Sequence, residues 1–243
     1  METWFVGFTP DCKGFISSGN DKKILYWKIG VDTPVEISTS DSKINTIAIS
    51  PIGNFIVVGK GNGEIALLDR DNNNSVTTFF QDNTSIVSLA FSKNGLLLAA
   101  GNEKGLVRIW DMGTRNLLTT LPGHSARVNN IRFSNDGERL ATGSFDKTVR
   151  IWNVLSIFDP PIVLKDHDDW VWSIEFSPDG NKLLAGCKDN KIKVWPTKMD
   201  LMKDLICDKI KRNLSDKEWN QFVGDDITYK KTCENKPNGS GIK

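Results

Sequence analysis

Five stretches of this 243-residue chain repeat one another every 41 to 43 positions, and two landmarks keep their phase through all five. The first landmark is an aromatic or aliphatic residue ahead of a turn. It occurs in Phe8-Thr9-Pro10-Asp11, Ile49-Ser50-Pro51, Phe91-Ser92, Phe133-Ser134-Asn135-Asp136-Gly137 and Phe176-Ser177-Pro178-Asp179-Gly180. Nineteen residues after each comes the end of a second hydrophobic run, at Trp27, Leu68, Trp110, Trp152 and Trp195. A chain with this period builds one small unit five times, and such units bury their apolar faces against their neighbours.

The fourth copy is the fullest. Apolar residues at Val128, Ile131 and Phe133 mark a strand with a local irregularity, and Asn135-Asp136-Gly137 supplies a turn. Residues 139–143 read as a second strand, Ser144-Phe145-Asp146-Lys147 as a tight turn, and residues 148–152 as a third strand alternating in and out. Residues 117–121 read as the outermost strand of the preceding unit. Four antiparallel strands give a small twisted sheet with two apolar faces, which needs a sheet on either side. Repeated at this period, such sheets are the blades of a β-propeller.

Gly123-His124, Phe133-Ser134-Asn135-Asp136-Gly137, Leu140-Ala141-Thr142-Gly143-Ser144, Asp146 and Val149-Arg150-Ile151-Trp152-Asn153 together resemble a WD40 repeat. Copy five keeps His167, Asp189 and Trp195 but has Ala185 and Cys187 where hydroxyls usually sit. Copy three keeps Trp110-Asp111 but has Lys104 at the turn aspartate position and no histidine; copy two has Leu68-Asp69. The resemblance spans residues 2–196. It implies an all-β fold, a WD40 β-propeller segment of about five four-stranded blades forming an incomplete ring, with a short C-terminal helical tail. The blades fall near residues 1–34, 35–75, 76–116, 117–161 and 162–196. It further implies a structural hydrogen-bond network through His124, Thr142 or Ser144, Asp146 and Trp152, with His167, Asp189 and Trp195 as its counterparts in copy five.

Both histidines of the chain stand at that structural position, so none is left to act as a catalytic base. No Gly-rich phosphate loop, metal-ligand spacing or strand-elbow serine appears. The reading is therefore a protein that is not an enzyme, with no catalytic residue, metal or cofactor. Gly61-Asn62-Gly63 reads as an inter-strand turn, and Asp166, Asp168 and Asp169 as a solvated loop rather than a cation site.

The resemblance places partner contacts at the propeller rim, at positions before the first strand's core residues and before the turn aspartate. The first class holds Arg127, Trp170 and Trp172; the second holds Glu103, Phe145 and Lys188. Trp, Tyr and Arg dominate binding hot spots, which favours Trp170, Arg127 and Phe145. Two preceding aspartates predict that Trp170 is the more exposed tryptophan. The implied function is a non-catalytic scaffold or sensor that binds a protein or peptide. A net charge of +1 with no basic half gives no footprint for nucleic acid. No secretory leader or membrane-length apolar run is evident, so a soluble, cytoplasmic protein with no membrane partner is expected. Four cysteines without CxxC spacing argue against a disulfide framework and a zinc site.

After Trp195-Pro196 the period stops. Residues 197–234 read as a helical tail and residues 235–243 as a disordered end. Leu201, Leu205, Ile206 and Ile210 have helical spacing, and Ser215-Asp216-Lys217-Glu218 is a capping box opening a second helix with Trp219 and Phe222, closed by Gly224. Residues 207–233 resemble the extreme C-terminus of large prokaryotic WD40 proteins that often carry STAND-type NTPase or caspase-like protease domains. That resemblance implies an alternative role as the regulatory C-terminal part of a larger signalling NTPase or caspase-like protease.

Outer strands are expected at residues 35–38, 76–80, 117–121 and 162–165, with none for the fifth blade. In closed WD40 rings that strand precedes the first repeat, where this chain has Met1-Glu2. Three arrangements stay open: the C-terminal part of a longer propeller with upstream blades, a five-bladed ring with residues 227–232 as the missing strand, or completion by another copy or another chain.

Overall fold

The computed structural model describes residues 3–52, 55–222 and 228–239, and the chain divides into two compact units, Met1–Val194 and Trp195–Lys243. The first sheet comprises β1 (Thr3–Phe8), β2 (Gly14–Gly19), β3 (Lys23–Lys28) and β4 (Val35–Thr39). The second comprises β5 (Ile44–Ile49), β6 (Phe55–Lys60), β7 (Glu64–Asp69) and β8 (Ser75–Gln81). The third has β9 (Ile86–Phe91), β10 (Leu97–Asn102), β11 (Val107–Asp111) and β12 (Leu117–Leu121). The fourth has β13 (Val128–Phe133), β14 (Arg139–Ser144), β15 (Val149–Asn153) and β16 (Ile162–Leu164). The fifth has three strands, β17 (Val171–Phe176), β18 (Lys182–Cys187) and β19 (Ile192–Pro196). The all-β fold expected from the period is present, and each outer strand lies where the spacing predicts it.

The irregularity read in the fourth copy is a β-bulge. The pairing of β13 with β14 slips between Val128 and Asn130, and β1, β5 and β17 slip at the matching place. A bulge at the strand entrance sharpens the twist and re-aims the residues that precede it. The turn before the third strand is equally uniform. Lys22, Gly63, Gly105, Lys147 and Asn190 hold its last position, all with positive φ. Three side chains tolerate φ of 61–68° there, but Gly105 sits at +90°, where an added Cβ would lie 2.2 Å from the His124 carbonyl oxygen. Gly105→Ala is expected to cost about 2 kcal/mol, seen as a lower urea midpoint at unchanged slope.

Successive sheets pack face to face through their inner strands, β1 on β5, β5 on β9, β9 on β13 and β13 on β17. One core joins Ile16 and Ile24 of the first sheet to Ile47 and Ile56 of the second. The next sets Leu89, Leu98 and Trp110 of the third sheet on Val57, Ile65 and Leu67 of the second. The same pattern recurs one sheet later, with Ile131, Leu140 and Trp152 on Ala99, Val107 and Ile109. Burying both faces of a central sheet is what its near-continuous apolar strands require. The terminal sheets differ, because each has one face in solvent: Val6 and Phe8 on the first, Ile192 and Val194 on the fifth.

The C-terminal unit contains α1 (Met199–Lys209) and α2 (Asp216–Phe222). The capping box forms as read: Glu218 Oε2 accepts from the Ser215 backbone N–H at 2.8 Å, and Ser215 Oγ accepts from the Glu218 N–H at 3.3 Å. Arg212 forks onto the same carboxylate and, with the Ser215 bonds, holds Glu218 at about 2. Buried Asn213 is the hub. Its Oδ1 accepts from the Cys233 N–H, and its Nδ2 donates to the carbonyls of Cys233 and Lys236. These bonds order residues 235–239, which the polar composition predicts to be disordered; residues 240–243 and Gly224 lie outside the described residues.

The cysteine reading also needs correction. Cys207 and Cys233 form a disulfide across 26 residues, leaving Cys12 and Cys187 free. Sequence spacing hides the pair because α1 and the Asn213 turn must fold before the two sulfurs meet. Residues 228–232 do not form a strand, and Ile227 lies outside the described residues. Among the described residues, no helix is long and apolar enough to cross a membrane.

Candidate functional site

The six rim residues sit on a shared backbone device. In each sheet the residue opening the turn after the second strand donates its N–H to the carbonyl of the residue entering the first strand. The pairs are Glu103 with Ser85 (3.0 Å), Phe145 with Arg127 (3.0 Å) and Lys188 with Trp170 (2.9 Å). The bulge leaves these residues at one end of their sheets, with their side chains free to meet across the gap between blades.

They do meet. The Phe145 and Trp170 rings stack with centroids 4.5 Å apart and planes 9° from parallel. Trp172 closes on both edge-on, 5.2 Å from Phe145 and 6.2 Å from Trp170. The Arg127 guanidinium lies 5.6 Å from the free side of the Phe145 ring system, and Lys188 Nζ lies 4.0 Å from the Trp170 centroid. Arg127 Nη1 is also 3.9 Å from Glu103 Oε1. The result is a row of cation, ring, ring, cation, drawn from the fourth and fifth repeats. Each cation–ring contact at such partly exposed sites is worth about 0.5–1 kcal/mol, enough to hold the row in shape before a partner arrives.

Exposure reverses one expectation. Trp172 is 46 % exposed, while Trp170 is half-buried under Phe145 and Lys188. The two aspartates before Trp170 are engaged at the loop and leave its ring inward: Asp169 Oδ1 accepts from the Trp170 N–H, and Asp168 pairs with Lys191 at 2.7 Å. Asp166 faces Lys193 at 3.6 Å. Lysines thus neutralise two of the three carboxylates once weighed as a cation site, and no metal-holding cluster occurs among the described residues.

The polar positions form a second system behind the rim. Trp152 Nε1 donates to Thr142 Oγ1 at 3.1 Å, Thr142 donates to His124 Nε2 at 2.8 Å, and His124 Nδ1 donates to Asp146 Oδ2 at 2.8 Å. Of the two hydroxyls left open, Thr142 lies in this chain; Ser144 instead donates to the Ala126 carbonyl and accepts from the Asp146 N–H. Burial pushes the Asp146 carboxyl up, but bonds from His124 and Thr148 outweigh it and leave the group well below the usual carboxylate range. In the fifth sheet Ala185 replaces Thr142, so the hydroxyl link is missing there. Asp189 accepts from the Lys191 N–H at 3.0 Å, and burial lowers the pKa of His167.

Two repeats that lack histidine fill its slot differently, which the motif comparison missed. In the third repeat buried Asp82 accepts from Asn102 Nδ2 at 3.0 Å and from Arg108. In the second, Lys60 bridges Asp41 (3.0 Å) and Glu64 (2.8 Å). The available signal was the period itself: Asp41, Asp82, His124 and His167 fall in one column. Sequence reading also missed an apolar cleft of about 240 Å³ between the second and third sheets, lined by Phe55, Leu67, Phe91 and Met112 with Arg115 at its mouth.

The WD40 family model (WD domain, G-beta repeat) matches residues 73–111, 115–153 and 158–196. No curated protein matches the chain.

Proposed function

We propose, from the premise that this chain carries WD40 repeats, that it is a non-catalytic scaffold or sensor whose protein or peptide partner docks on the row Arg127–Phe145–Trp170–Lys188. WD40 repeats generally serve protein interaction, which supports the coarse reading. The single observation that carries the finer one is the stacked Phe145–Trp170 pair, flanked by two cations and crowned by exposed Trp172. Rigid aromatic surface costs little conformational entropy on binding, and flanking cations select acidic groups beside an apolar anchor. A catalytic role finds no support at His124, which the Thr142–Asp146 chain uses on both ring nitrogens.

A displayed random-peptide library selected on the protein tests this reading. Selected peptides should pair an apolar anchor with acidic neighbours. Trp172→Ala and Arg127→Ala should each weaken them about tenfold, the usual loss at a hot-spot residue, with melting temperature unchanged. Trp170→Ala should weaken them as well. Peptides that bind all three variants as tightly as the parent would remove the row from the site.

A second reading makes the repeats the regulatory C-terminal part of a larger signalling NTPase or caspase-like protease. It draws on the separately compact C-terminal unit together with the resemblance of its sequence. Reading the nucleotides upstream of the Met1 codon decides it: an open frame encoding such a domain supports it, and a stop codon ends it.

A further inference from the structure

We infer that copies of this chain associate head to tail, the uncovered face of the fifth sheet of one copy packing on the uncovered face of the first sheet of the next. The argument is positional. On the first sheet Val6 pairs with Ser17 and Phe8 with Phe15, and Phe15 pairs with Trp27, so these residues share one face. Val6 is 61 % and Phe8 69 % exposed. The residues one, two, three and four periods after Val6 are Ile47, Leu89, Ile131 and Ile174, none more than 6 % exposed. In every later sheet this column is an interface with the preceding sheet.

The fifth sheet shows the mirror condition. Leu184, Ile192 and Val194 are 39 %, 73 % and 53 % exposed. Their counterparts in the second, third and fourth sheets are Val57, Ala99 and Ala141, then Ile65, Val107 and Val149, then Leu67, Ile109 and Ile151. All nine are 3 % exposed or less. In those sheets this column is the interface with the following sheet.

The molecule therefore displays both halves of a junction that it already builds internally. The chemistry of the halves matches as well. Inside the molecule Trp110 packs with Ile65 and Leu67, and Trp152 with Val107 and Ile109. The equivalent external contact sets Trp27, already stacked on Phe15 at 5.7 Å, against Ile192 and Val194 of a second copy. An aromatic relief on one face and a β-branched surface on the other complement each other, and neither complements itself. Contiguous apolar faces of this kind are rarely left in water. A contact between two different faces is heterologous, so each addition exposes a fresh face and growth continues past the dimer unless a ring closes.

Paired capping variants test this directly. Val6→Glu with Phe8→Glu blocks the first face; Ile192→Glu with Val194→Glu blocks the last. In size-exclusion chromatography with light scattering, the parent should exceed its 27.1 kDa monomer mass increasingly with concentration. Each blocked variant alone should stay a monomer. An equimolar mixture should give a species of twice the monomer mass and nothing larger, because each partner keeps one competent face. Circular dichroism confirms that the variants fold, and should a glutamate pair fail to fold, Ser at 6 and 8 or Thr at 192 and 194 replaces it with the same expectations. A parent that is monomeric at every concentration overturns the inference. So does a blocked variant that still assembles, or a mixture that remains monomeric.

Discussion

Replacing Asp146 with alanine lowers the stability of the repeat unit by about 3 kcal/mol, the cost of stripping one partner from a buried, charge-assisted network. Its carboxylate takes bonds from His124 Nδ1, Thr148 Oγ1 and the N–H groups of Ser125 and Thr148. Truncation leaves a buried imidazole and two amides unsatisfied at the turn that connects β14 to β15. For a unit of this size the loss corresponds to a melting point about 6–12 °C lower. His124→Ala combined with Asp146→Ala should cost little more than Asp146→Ala alone, because residues in one network are strongly non-additive.

The same carboxylate sets an acid response. Its folded pKa is depressed, so the native state binds the proton less readily than the unfolded chain. The stabilisation is present above the ordinary value of 3.8 and is lost as pH falls below it towards the folded value. Urea unfolding from pH 6 to pH 2 should show this loss in the parent. Asp146→Asn, already weaker at pH 6, should show a shallower decline; an equally steep one would sink the assignment.

Opening the Cys207–Cys233 bond, by reduction or by Cys233→Ser, removes about 3 kcal/mol from the C-terminal unit on the loop-entropy account for a 26-residue separation. The repeat unit should be untouched. Cleavage within residues 207–239 by a nonspecific protease should accelerate about a hundredfold, since proteolysis of a locally opened segment follows its open population. Thiol titration in denaturant should rise from two groups, Cys12 and Cys187, to four on reduction. Four thiols without reductant would refute the pairing. A strongly reducing compartment such as the cytoplasm would keep this unit open, so the bond bears directly on where the protein acts.

Much of the repeat architecture was legible because period, turn residues and strand alternation report backbone geometry, which recurs unchanged. The outer strands fell where the spacing put them, and even the entrance bulge showed as broken alternation at Val128 and Ile131. The rim row was legible as a set of positions, since equivalent turns deliver equivalent side chains. Its internal order was not. Whether Trp170 or Trp172 faces water depends on which ring stacks on Phe145, and no local pattern encodes that. The disulfide and the Asn213 hub were hidden for the same reason: they join residues 20 or more apart through a fold with no repeat to announce it.

The column shared by Asp41, Asp82 and His124 has a consequence for how such repeats change over time. Each occupant has a matched companion elsewhere in its own sheet: Lys60 for Asp41, Arg108 and Asn102 for Asp82, Thr142 and Asp146 for His124. A histidine grafted at position 82 would strand a guanidinium, and an aspartate at 124 would set two carboxylates against each other. Neighbouring repeats are therefore not interchangeable parts, and substitutions in this column are tolerated only as coordinated sets.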